Sequence, residues 1–250
     1  MTHSVTAAAP KKHTLHPMVT GTSVLGIVYD GGVMLAADTL LSYGSLAKHQ
    51  GISRMIKIQD VVIAGSGEFS DFQDIQQLLE QKALEETTTS NVIMDSLYAD
   101  HSTTMTAASV WNYLRYIFYQ KRNKFNPYWN ELLVAGTDTA GKPFLGSVDK
   151  IGTTLHDNVL ATGFGSYLAI PILREKWRPD LSEGEARAIL EDCLKILFYR
   201  DCHASSLVQL AKCGTGSPPL ISDPYQLETS WNDPAFVQAA PAALEGDGGW

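Results

Sequence analysis

The run from Thr20 to Asp38, TGTSVLGIVYDGGVMLAAD, decides how this 250-residue chain is read. Residues 23–29 and 33–37 are short apolar stretches bounded by turn residues, too brief for helices, and they predict strands. Asp30-Gly31-Gly32 joins them as a hairpin, because glycine accepts the positive φ that tight turns require. Outward from this hairpin a second one follows. Residues 54–58 and 61–64 flank a Gln59-Asp60 turn, and Gly65-Ser66-Gly67 ends the second strand.

Two helices come next. Residues 70–86 place Phe72, Ile75, Leu78, Leu79 and Ala83 at helical spacing, and the threonines from residue 87 predict a break. Residues 106–121 repeat the pattern with Val110, Leu114, Ile117 and Phe118, before Asn126-Pro127. A strand-rich block spans 131–163, with strands at 132–135, 144–148 and 159–162. Helices are expected again at 166–177 and 182–200, the latter opened by a Ser182/Glu185 capping box. Residues 206–213 read as a closing strand, and Pro218-Pro219 opens an irregular tail. Two antiparallel sheets face to face, each covered outside by a helix pair, would bury every apolar face: an α+β, four-layer αββα sandwich. The expected division is a leader over 1–21, one domain over 22–216 and an extension over 217–250.

Composition narrows the function classes. A formal charge of −8 argues against a nucleic-acid partner. Cys193, Cys202 and Cys213 are too few and too irregular for a disulfide framework, which suits a reducing compartment. No apolar run approaches the roughly 20 residues of a membrane span, and residues 1–16 have no apolar signal-peptide core. A soluble intracellular protein is expected. The seven histidines, His203 among them, show no separated ligand pair, so no metal is expected. The Gly-Ser-Gly and Gly-Phe-Gly turns lack a following Lys-Ser/Thr, so neither reads as a phosphate loop or calls for a nucleotide cofactor.

Gly21-Thr22 carries the chemistry. A threonine freed at a chain start can attack a carbonyl with its hydroxyl while its own α-amine takes the proton. With the preceding residue still attached, that nitrogen is an amide and no base. Residues 21–26 and 31–38, Ser42-Tyr43-Gly44-Ser45-Leu46, Ile52-Ser53-Arg54 and Tyr199-Arg200-Asp201 resemble β subunits of the eukaryotic proteasome core particle, members of the N-terminal-nucleophile hydrolase family. Residues 42–46, Asn126-Pro127-Tyr128-Trp129 and Glu228-Thr229-Ser230-Trp231 are similar to one non-catalytic paralogue. The likeness covers about residues 14 to 236.

The resemblance implies that fold, and it assigns roles one residue at a time. The nucleophile position falls on Thr22 and its supporting aspartate on Asp38. The tuning lysine of active siblings falls on Arg54, which keeps the charge but cannot relay a proton. The serine of the glycine turn falls on Phe164, the second aspartate on Asp201, and the serine three residues later on Ala204. The arginine two residues after the first aspartate falls on Leu40. Single groups of this kind are worth about 10²- to 10⁴-fold, so losing the lysine and both serines predicts a silent subunit with no catalytic residue, no cofactor and no metal. Trimming near Thr14 by a sibling is implied as well. Tyr225, Trp231 and Phe236 form an aromatic tail that the resemblance sends across to the opposite β ring, in the cytoplasm and nucleus. Trp111, Tyr113, Tyr116, Phe118 and Tyr119 cover more than one helix face and suggest a neighbouring subunit. Two rivals stay open: an active threonine peptidase using Thr22, Asp38, Arg54 and Asp201, and a free-standing amidohydrolase.

Overall fold

A computed structural model of the chain describes residues 16–94, 105–138, 140–214 and 216–230, with the backbone alone for 89–94. The opening run forms the expected hairpin. β1 (Val24–Tyr29) and β2 (Gly32–Asp38) pair antiparallel, Val24 opposite Ala37 and Tyr29 opposite Gly32. Gly31 turns the corner at φ 93°, where a side chain would be strained. Every residue of β2 is buried, which explains an unbroken apolar run where a half-exposed strand would alternate.

Two antiparallel sheets dominate. The first runs β10 (Val159–Ala161), β1, β2, β11 (Leu207–Gly214), β12 (Ser217–Ile221), and β13 (Tyr225–Gln226) also pairs with β11. The second runs β5 (Met55–Ile58), β6 (Val61–Gly67), β7 (Asn130–Thr137), β8 (Pro143–Val148), β9 (Thr154–His156). A small hairpin, β3 (Leu41–Tyr43) with β4 (Leu46–His49), stands apart. The helices are α1 (Phe69–Met94), α2 (Ala107–Asn123), α3 (Gly165–Leu168), α4 (Ile170–Lys176) and α5 (Glu183–Arg200). The chain is thus a mixed α and β protein.

The period-two alternation of strands sends neighbouring residues to different cores. Leu25 and Ile27 pack with Leu173, Leu190 and Leu197 of α4 and α5, whereas Val24 packs with Leu35, Ala64, Leu133 and Leu145. On the other sheet Leu132 and Val134 meet Phe72 and Ile75 of α1 and Leu114 and Phe118 of α2, while Leu133 and Ala135 join Val24 and Leu35. Three apolar clusters result, one under each helix group and one shared by strands of both sheets.

The structure corrects four expectations. The first helix does not break at Thr87 but continues to Met94, because Thr87 and Thr88 turn their hydroxyls back onto the carbonyls of Ala83 and Leu84, each at 2.8 Å. The helix expected over 166–177 is two helices meeting at Ala169, where Pro171 has no N–H for the preceding turn. Pro218-Pro219 does not begin an irregular tail but lies in β12, an edge strand where proline is tolerated. Tyr225 is not a free interface anchor: it packs on the α4–α5 core, its hydroxyl donates to Glu191 Oε1 at 2.7 Å, and Arg187 lies 5.1 Å above its ring. Trp231 and Phe236 lie outside the described residues. On α2, Phe118 is buried and Trp111 donates to Ser147 O at 2.9 Å, while Tyr116 and Tyr119 are exposed.

Candidate functional site: the Arg54 pocket

Arg54 stands just before β5 and reaches to the ends of three strands, 1% exposed. A guanidinium has five N–H donors, and here each has an acceptor. Nε donates to Asp38 O at 3.1 Å. Nη1 donates to Thr22 O at 3.1 Å and Gly65 O at 3.3 Å. Nη2 donates to Ser23 O at 3.0 Å and to Asp38 Oδ1 in a close ion pair. Thr22, Ser23 and Asp38 flank the first sheet's hairpin and Gly65 belongs to the second sheet, so one side chain stitches the two together.

Asp38 is 4% exposed. Its Oδ2 accepts from Leu40 N at 3.3 Å and Ser205 N at 3.1 Å. Burial pushes this carboxyl up, against the pull of the guanidinium and of the two backbone donors. The paired, three-way engaged carboxylate is fixed in place and has little freedom to exchange a proton.

Thr22 sits beside this pair, 8% exposed, its Oγ1 without a hydrogen-bond partner among the described residues. The chain before it is held rather than loose. Thr20 N and Gly21 N donate to Gly67 O at 3.0 and 3.1 Å, and Gly67 N returns a bond to Gly21 O at 2.9 Å. Met18 N donates to Glu68 Oε2 at 2.6 Å, and Ser42 N to Thr20 O at 2.9 Å. Residues 18–21 therefore lie along the end of β6, where a flexible leader is expected from sequence. A Cβ on Gly21 would come 2.6 Å from Arg54 Cδ, so the arginine itself demands glycine there.

The remaining positions lie in two turns, one at 163–165 and one after α5. The turn at Gly163, φ 56°, abuts Thr22 and Ser23, and Gly165 N donates to Ser23 Oγ at 2.9 Å. Phe164, in that turn, is 53% exposed and offers no hydroxyl. Asp201 caps the C-terminus of α5; its Oδ1 accepts from His203 N at 2.9 Å, and Oδ2 has no partner among the described residues. Ala204 contributes only its backbone, N to Asp201 O at 3.1 Å. Nearby hydroxyls are already committed to turns: Ser166 Oγ to Gly163 O at 2.6 Å, and Ser205 Oγ accepting from Leu207 N at 3.1 Å.

Sequence reasoning missed Glu131, whose Oε2 accepts from Gly163 N at 3.3 Å and whose carboxyl is raised by burial. It also missed Gly65 O and Ser205 N, backbone groups that leave no trace in residue type. What the pocket can do chemically is limited. An arginine cannot take a proton from Thr22, and the amide nitrogen of an internal Thr22 is no base.

A buried threonine beside a strand, with an aspartate and a basic residue between two antiparallel sheets, is consistent with the N-terminal-nucleophile class. The proteasome subunit family model matches residues 18–213, and the chain belongs to that family. Within it, the chain is 41% identical to proteasome subunit beta type-4 of Dictyostelium discoideum, over 89% of this chain and 83% of that one. It is 40% identical to the Xenopus laevis subunit of the same name (92% and 91%), and 38% identical to proteasome subunit beta type-7 of Saccharomyces cerevisiae (82% and 77%).

Proposed function

We propose that this chain is a non-catalytic β subunit of the 20S proteasome core, contributing walls and contacts rather than peptide cleavage. The observation that carries the reading is the Arg54 guanidinium, all five of whose donors are spent on carbonyls and Asp38 where a proton relay would be needed. The hydroxyls lost at Phe164 and Ala204 and the bonded segment before Thr22 point the same way. The rival reading of an active threonine peptidase would need Gly21 detached from Thr22 and a base beside it.

The three apolar clusters support a four-layer αββα arrangement, helix pairs outside and two sheets within. The reading includes a seven-membered β ring, ring-to-ring association and residence in cytoplasm and nucleus. No helix among the described residues is long and apolar enough to cross a membrane. It also keeps the division into leader (1–21), domain (22–216) and extension (217–250), with the inner end of each flanking segment packed on the domain. Trp231 and Phe236 are its contacts to the opposite ring; Tyr225 is half-buried against the α4–α5 core.

Intact-mass measurement of the subunit from assembled particles tests this. The expected mass retains residues before Thr22, and a threonine-reactive electrophile leaves it unlabelled. A mature start at Thr22 together with labelling would falsify the reading.

A further inference from the structure

The turn leaving α5 carries a different kind of polar group. Asp201, Cys202 and His203 each offer one metal-ligating atom, and these lie within 4.8 Å of one another, the one such trio among the described residues. Cys202 Sγ is 3.3 Å from His203 Nδ1, and the same nitrogen is 3.4 Å from Asp201 Oδ1. Bonds of about 2.3 Å to sulfur and 2.0–2.2 Å to nitrogen or oxygen place neighbouring ligands of a tetrahedral ion about 3.3–3.6 Å apart. Both pairs that His203 makes already stand at that separation, and the Cys202–Asp201 pair lies within 4.8 Å.

Asp201 supplies an independent observation. Its side chain is 1% exposed, yet Oδ2 of the carboxyl that meets the imidazole has no hydrogen-bond partner among the described residues. A buried oxygen without a partner is costly, and a cation would satisfy it. The turn is also preorganised. Asp201 N donates to Leu197 O at 2.7 Å, His203 N to Asp201 Oδ1 at 2.9 Å, and Ala204 N to Asp201 O at 3.1 Å. It lies at the C-terminus of an 18-residue helix, whose partial negative charge favours a cation. Cys202 is exposed and His203 about one-third exposed, so an ion can enter from solvent.

We propose that Asp201, Cys202 and His203 bind a divalent transition-metal ion, zinc by their mixed sulfur, nitrogen and oxygen donors, with solvent as the fourth ligand. Binding releases the thiol proton to solvent, and the neutral imidazole ligates through Nδ1 with its proton on Nε2. A search for separated histidine pairs misses such a site because its ligands are adjacent residues. The ion would lie close to Ser205, whose N–H holds Asp38 Oδ2, and so would brace the turn that supports the Arg54 pocket.

Cobalt titration of the untagged full chain tests the site, since a tetrahedral cobalt thiolate gives intense visible bands and a near-ultraviolet charge-transfer band. One equivalent is expected to saturate them, and zinc to displace them. Cys202→Ser should abolish the charge-transfer band, and His203→Gln should weaken binding at least about tenfold. On the unsubstituted chain, zinc should slow alkylation of Cys202, followed by mass spectrometry. Burial pushes the other thiols up, Cys193 to about 11 and Cys213 to about 12, which keeps them protonated and silent in that assay. No charge-transfer band under excess cobalt, a band that survives Cys202→Ser, or alkylation unchanged by zinc would each overturn the proposal.

Discussion

The Arg54 pocket and the turn after α5 each hold one buried aspartate, and they differ in how completely its oxygens are used. Asp38 meets a guanidinium and two backbone N–H groups. Asp201 meets one N–H and a half-open imidazole, and keeps an oxygen unpartnered among the described residues. Full satisfaction locks a charge into architecture, whereas incomplete satisfaction leaves capacity for a ligand. The partners of Asp38 fix its carboxyl in place, whereas Asp201 keeps an oxygen to offer among the described residues.

The contrast breaks hardest at Arg54. Arg54→Met keeps volume but leaves Asp38 buried without its partner, and should cost about 3–5 kcal/mol in urea unfolding of the chain. An intact midpoint would mean that the stitch between the sheets is ornamental. Gly21→Ala comes next. Its Cβ meets Arg54 Cδ at 2.6 Å, so a loss of about 1–3 kcal/mol is expected from the same measurement. Thr22→Val sharpens the comparison from the other side. Removing a buried hydroxyl with no partner among the described residues should raise stability by about 1 kcal/mol, with peptidase activity of the assembled particle unchanged. A fall in that activity would restore a role for the hydroxyl. The smallest effect belongs to Cys202→Ser, which in chelator-treated buffer should stay within about 0.5 kcal/mol of the parent because the side chain is exposed.

Much of this was legible in residue order. The hairpin of β1 and β2 and the capping box, where Ser182 N donates to Glu185 Oε2 at 3.0 Å, follow from local rules that packing had no reason to override. The misreadings arose where a residue's usual tendency found a partner the sequence does not advertise. Threonines at 87 and 88 satisfied their hydroxyls inside the helix, and prolines at 218 and 219 found a sheet edge where a missing donor matters little. For the site, the motifs that carried the family resemblance assigned positions to Thr22, Asp38, Arg54 and Phe164 of the 163–165 turn. They could not reveal that Arg54 spends itself on carbonyls, because four of its five acceptors are backbone oxygens.

The close approach of Gly21 to Arg54 also orders the paths by which this chain can change. While position 54 holds the long arginine stem, any side chain at 21 enters an occupied space, so glycine is retained there whether or not a peptide bond is ever cut beside it. A shorter residue at 54 would release position 21, but a change at 21 made first passes through a clashing intermediate. Glycine at 21 is thus held by the arginine beside it, independently of any cleavage of the bond between residues 21 and 22.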